Sequence, residues 1–171
     1  GGWRVCCSSG GRAGGARAVD AEGARKSGEF LKLCDRWGLP VLSLCDTPGF
    51  MVGPEAEAAG QMRASAALFT IASKLSVPLF TVVLRKGYGL GAQSMAAGGF
   101  HAPVFTAAWP TGEFGGMGLE GAVRLGYRRE MEAIEDPEKP AAFYQAKPAH
   151  LYEGGKATTL AGFLEIRAAI D

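Results

Sequence analysis

The stretch that most limits what this chain can become runs from Leu79 to Met95. Leu79-Phe80-Thr81-Val82-Val83-Leu84 is the longest apolar run. It is too short for a helix and rich in β-branched and aromatic residues, so it predicts a buried strand ended by Arg85-Lys86. Gly87-Tyr88-Gly89-Leu90-Gly91 follows, and its glycines let the backbone turn tightly with no Cβ in the way. Gln93 to Ala97 reads as the start of a helix. A strand, a glycine turn and a helix N-terminus aim free N–H groups into one small space, suited to a phosphate, a carboxylate or an enolate oxygen. The amides of Gly91 and Ala92 are the candidate oxyanion hole. A tight strand-to-helix turn with no ligand satisfies the same spacing.

Around this stretch, strands and helices alternate. Asp20 is a plausible N-cap, and Phe30, Leu33, Cys34 and Trp37 recur at helical spacing until Gly38 and Pro40. Val41 to Cys45 reads as a buried strand, closed by the turn Asp46-Thr47-Pro48-Gly49-Phe50. Glu55 to Ser76 reads as one long helix between layers. Val104 to Ala108 is a further strand, and residues 109–118 form a second glycine-rich loop. Helices are expected at Leu119–Leu125 and Ala161–Ile170, with short ones over 127–153. This alternation argues an α/β fold with a largely parallel sheet and ligands at the loops after its strands. Phe30, Leu33, Leu44, Phe69, Leu79, Val82 and Leu84 form the expected core.

Several function classes are excluded or weakened. A net charge of +1 gives no reason to expect nucleic acid or an anionic membrane surface. No apolar run approaches the ~18 residues of a membrane-spanning helix. The four cysteines contain no CxxC, and His101 and His150 are far apart, so no zinc site is expected. Buried thiols at Cys34 and Cys45 suggest a reducing compartment, cytoplasmic or alternatively the mitochondrial matrix. Asp46-Thr47-Pro48-Gly49 matches a GTPase DxxG turn, but no GxxxxGK[ST] precedes it. Ser94, in Ala92-Gln93-Ser94-Met95, loosely resembles a nucleophile elbow. Its base would have to be His101 or His150, neither placed by an evident acid. Asp46 and Glu113, the acids of the glycine loops, suit bracing better than acid/base work. Residues 1–19 hold glycine, alanine, serine and arginine with no acid. They read as a disordered or non-homologous segment resembling a transit peptide, and the start at Gly suggests a piece of a longer protein.

Four blocks then occur in order. Asp46-Thr47-Pro48-Gly49-Phe50, Arg85-Lys86-Gly87-Tyr88-Gly89, Trp109-Pro110-Thr111 and Met117-Gly118-Leu119-Glu120-Gly121-Ala122-Val123 strongly resemble the carboxyltransferase subunit of biotin-dependent acyl-CoA carboxylases. The resemblance is to that subunit's C-terminal, biotin-side domain, of the propionyl-CoA and acetyl-CoA carboxylase type, over residues 20–171.

The resemblance implies the ClpP/crotonase-like ββα spiral fold. It also implies transfer of a carboxyl group from carboxybiotin, held on a carrier protein, to the α-carbon of an acyl-CoA. Gly91 and Ala92 fall on the family's oxyanion hole for the ureido oxygen of biotin. Phe50, Tyr88, Gly89, Ser94, Gly115 and Gly116 fall on the biotin and acyl pocket. Implied partners are an N-terminal carboxyltransferase half, a biotin carboxylase and a biotin carboxyl carrier protein, in a homo-oligomer that is hexameric in the family. Leu90 departs from the Gly-Gly-Ala of some members. Ser94 matches a position facing the acyl chain that is acidic in propionyl-type enzymes, which leaves the acyl preference open. A decarboxylase subunit of the same fold and a non-catalytic scaffold remain as alternatives.

Overall fold

The computed structural model describes residues 4–6, 18–118 and 152–170. Its centre is one parallel sheet. Strand β1 (Arg4–Cys6) pairs with β2 (Val41–Thr47), β2 with β3 (Leu79–Tyr88), β3 with β4 (Phe105–Ala108), and β4 with β6 (Ala168–Ala169). Strand β5 (Glu113–Gly115) pairs with the far end of β3. Part of the segment expected to be disordered is therefore an edge strand. Val19, at that segment's end, is buried and bridges Phe50, while residues 1–3 and 7–17 lie outside the described residues, as do the helix expected at 119–125 and most of 127–153.

Helix α1 (Ala21–Arg36) begins where its sequence says it should. The Asp20 carboxylate accepts the Gly23 N–H at 2.7 Å, satisfying one of the helix's unpaired donors. Its buried stripe is Ala21, Ala24, Gly28, Leu31 and Cys34, whereas Leu33 and Trp37 are 42% and 58% exposed. Of the expected stripe Cys34 is buried and Phe30 half-buried, and Leu33 and Trp37 are displaced because small residues decide the contact. A Cβ on Gly28 would sit 2.8 Å from the Ile71 methyl, so α1 lies against the helix that carries Ile71 through its smallest side chains. At the other end of α1, the Asp35 carboxylate accepts N–H groups from Ser76 and Val77 and the Ser76 hydroxyl. These bonds, Ser76 foremost, hold its pKa below the usual carboxylate value and fix the turn that feeds β3.

The long helix expected over 55–76 is two. Helix α2 (Pro54–Ala58) ends at Ala59, Gly60 takes φ +80, and α3 (Gln61–Ala72) starts anew. The left-handed backbone, which glycine adopts without strain, breaks the helix. Arg25 from α1 donates to the freed Ala59 carbonyl at 2.8 Å.

Burial in β2 and β3 alternates. Val41, Cys45, Leu79 and Val83 face the helices and are buried. Leu44, Val82 and Leu84 lie on the other face and are half-buried, as are Phe30 and Phe69. Of the expected core, only Leu79 is fully buried. These strands obey the period of two and were misread as buried on both faces.

Strand β3 also runs past Arg85-Lys86 to Tyr88. A register shift between Cys45 and Thr47 interrupts the β2–β3 ladder, and the Asp46 carboxylate accepts the Lys86 N–H at 3.0 Å across the gap. The expected helix 161–170 is instead α5 (Ala157–Gly162) followed by β6. Leu164 at φ +61 redirects the chain, and Ile166 is 1% exposed in the core beside β4.

Candidate active site

Three loops meet at one end of the sheet: 47–50 after β2, 87–91 at the end of β3, and 113–116 around β5. The contacts are close enough to exclude side chains. A Cβ on Gly91 would stand 2.5 Å from the carbonyl carbon of Gly49 and 2.8 Å from the Phe50 nitrogen. Gly89 has φ +61, and a Cβ there would stand 2.9 Å from the Gly116 oxygen. Gly115 lies against the Tyr88 ring, where a Cβ would come within 3.1 Å.

Helix α4 (Gly89–Met95) starts at Gly89, four residues before the expected Gln93. Tyr88 is its N-cap and supplies no side-chain cap. Gly89, Leu90 and Gly91 are therefore the first three helical residues, whose N–H groups have no carbonyl four positions behind them inside the helix. Ala92 is the first that does, that of Tyr88. Inside α4, then, Gly91 has no acceptor and Ala92 has that of Tyr88. Both are buried.

Tyr88 is 3% exposed, and its hydroxyl donates to Glu113 Oε2 at 3.0 Å. Burial first, then the Glu113 carboxylate, push the phenol well above its ordinary pKa, so it remains a donor across the neutral range. Asp46 also braces, accepting from Arg85 Nη2 at 3.1 Å as well as from Lys86. Phe50 meets Phe69 edge-on, with centroids 6.2 Å apart. Gly115 and Gly116 are exposed at the rim.

Ser94 is 2% exposed and donates to the Gly91 carbonyl at 2.7 Å. Its hydroxyl is spent inside the helix. His101 pairs at the surface with Glu165, at 3.2 Å, so this histidine serves no Ser94 triad. Ser94 lines a cavity of about 30 Å³ with Ser27, Ser43 and Met95, room for about one water. Among the described residues no cluster of histidine, cysteine or carboxylate side chains could hold a metal ion, and no helix is long and apolar enough to cross a membrane.

Two features escaped sequence reasoning. One is the Tyr88–Glu113 bond, which joins loops that only the β3–β5 pairing makes neighbours. The other is an apolar groove of about 350 Å³ lined by Phe50, Met51, Val52, Met62, Phe69 and Leu90. Its only sequence signal is the pair Met51-Val52, apolar residues in a turn where polar ones are usual.

Residues 10–158 match the family model of the carboxyl transferase domain. The chain is 42% identical over 123 residues to the propionyl-CoA carboxylase carboxyltransferase subunit of Haloferax mediterranei, covering 72% of this chain and 24% of that one. A single-chain, multi-domain long-chain acyl-CoA carboxylase has a similar solved structure, with TM-score 0.80 and 52% identity over 90% of this chain and 15% of that one. The transcarboxylase 12S hexamer with methylmalonyl-CoA bound has TM-score 0.77 and 31% identity, over 90% of this chain and 29% of that one. The chain thus spans less than a third of the length of each of these relatives. Sequence match and fold agree: this chain belongs to the carboxyl transferase domain family and has its crotonase-like α/β fold.

Proposed function

We propose that this chain forms the biotin-side half of an acyl-CoA carboxyltransferase site within a larger subunit. The observation that carries this reading is the contact of Gly91 with the Gly49–Phe50 backbone. It holds the first turn of α4 against a neighbouring loop with no side chain between them. Amides at a helix start fixed in this way suit an oxygen that gains negative charge during reaction, because they need no reorganisation to stabilise it.

The residues present fit biotin. Gly91 lies against Gly49 with no side chain between them, and the flanking walls are Tyr88 and Phe50. Biotin, when bound on its carrier, supplies the carboxyl group from a ureido nitrogen and takes up the α-proton of the acyl-CoA. Gly91 and Ala92 then donate their N–H groups to the ureido oxygen, Gly91 with no acceptor inside α4 and Ala92 in competition with the Tyr88 carbonyl. Gly89 and Gly115 let the loops close up on Gly116 and Tyr88, and Gly116, with open space around it, leaves the rim free for entry. Ser94 holds the turn through the Gly91 carbonyl. The acyl-CoA is of the long-chain class, as in the carboxylase structure that is 52% identical. The thioester oxyanion hole belongs to an N-terminal half, and biotin carboxylase and carrier components complete the reaction. A hexamer like that of transcarboxylase 12S is the assembly proposed.

Replacing one backbone N–H by an ester oxygen tests the assignment without adding an atom. Glycolic acid at position 91 and lactic acid at position 92 should each lower turnover of the full-length enzyme by about 10²–10³-fold. Full turnover in both would reduce the loop to a turn.

A further inference from the structure

We infer that the groove over Met51, Val52, Met62 and Leu90 receives the alkyl tail of the acyl-CoA; this rests on the carboxyl-transfer reading above. Transfer forms a bond at the α-carbon, so that carbon must come within about 3–3.5 Å of the carboxyl group beside α4. Every carbon beyond it belongs to the tail, which therefore starts at the first turn of α4 and has to leave from there. Leu90 is both the second residue of α4 and part of the groove wall. The groove wall thus includes a residue of the turn where the tail begins.

Its chemistry fits an alkyl chain. The Phe50–Phe69 ring pair stands beside it, and Val52, Met62, Leu90 and Met51 are 87%, 74%, 60% and 46% exposed. Apolar side chains so exposed and so close together mark a binding surface. Among the described residues, three polar ones line it: Gln61 donates to Ser65 at 3.0 Å and to the Val19 carbonyl, so this pair is turned into the protein, and Glu57 is exposed, with its carboxylate in water. The volume of about 350 Å³ lies within the range of about 300–1,000 Å³ for small-molecule sites. Two methionines supply unbranched, adaptable walls, which suit a flexible chain better than a fixed shape.

The test compares palmitoyl-CoA with propionyl-CoA in the full-length enzyme, assembled with its carboxylase and carrier. Met62→Trp and Val52→Trp should each lower the ratio of kcat/KM for palmitoyl-CoA over propionyl-CoA by about tenfold or more. Met62→Leu should keep it. The ratio is the readout because general damage moves both substrates together. An unchanged ratio in both tryptophan variants overturns the inference. So does loss of assembly by light scattering with the ratio intact, which would make the groove a protein contact. A wild-type enzyme that uses propionyl-CoA and not palmitoyl-CoA overturns the tail groove while leaving the carboxyl-transfer reading standing. Transfer to no acyl-CoA at all defeats both.

Discussion

A methyl group on Gly91 has nowhere to go, because the nearest atoms are backbone atoms of Gly49 and Phe50 that cannot rotate away. Gly91→Ala should therefore destabilise the full-length subunit by about 1–3 kcal/mol in denaturant titrations, with loss of turnover. Cys45 makes a second prediction. Burial, and then the charge of Asp46, push its thiol from 9.0 up to about 12. The folded chain keeps a proton there that the unfolded chain releases. The resulting stabilisation is complete below pH 9 and is lost between pH 9 and 12. The thermal midpoint should fall across that window, and less steeply in Cys45→Ala. Tyr88, shifted in the same direction, contributes a decline of the same sign and keeps the variant's profile from being flat. At this scale the glycine turn was legible from its spacing. The phase of the helix was not, since it depends on β3 continuing through Lys86 and on the positive φ of Gly89.

Elements hold the site through cross-links that are weak one by one. The Tyr88–Glu113 bond ties the start of α4 to β5, which otherwise touches β3 through three residue pairs. Tyr88→Phe removes that bond and leaves a half-buried carboxylate with one partner fewer. It should cost about 1–3 kcal/mol and lower kcat more than it raises KM, since geometry rather than binding surface is lost. Glu113→Gln keeps an acceptor and should recover most of both. Stability by thermal melting and steady-state kinetics on the assembled enzyme decide the matter. Strands β2, β3 and β4 were readable from apolar runs, and α1 from its cap. The break at Gly60 was hidden because a lone glycine within a helical pattern is usually tolerated. Strand β6 was hidden because Ala168-Ala169 carries no strand signal of its own and is extended only through pairing with β4.

At the scale of the molecule, the described residues leave Val52, Met62, Leu90, Phe163 and Leu164 at least 60% exposed, and Leu44, Val82 and Leu84 only half-buried. The isolated chain should self-associate, with its mass by light scattering rising with concentration. A monomer throughout would mean that these surfaces need no cover. Fold class was legible through the four sequence blocks, of which the three that lie wholly within the described residues stand at strand ends. Which sheet face is covered was not, because alternation in Val and Leu looks alike on both sides.

Strand β6 has one more consequence, in the order of synthesis. The β4 edge at Ala107 and Ala108 waits for Ala168 and Ala169, which leave the ribosome only after all of 109–167. At elongation rates of about 5–20 residues per second, that edge stands open on the order of seconds. Open parallel edges are templates for other chains. Translation speed through 109–167 therefore sets how long each nascent molecule is vulnerable, and the burial of Ile166 marks when that interval closes.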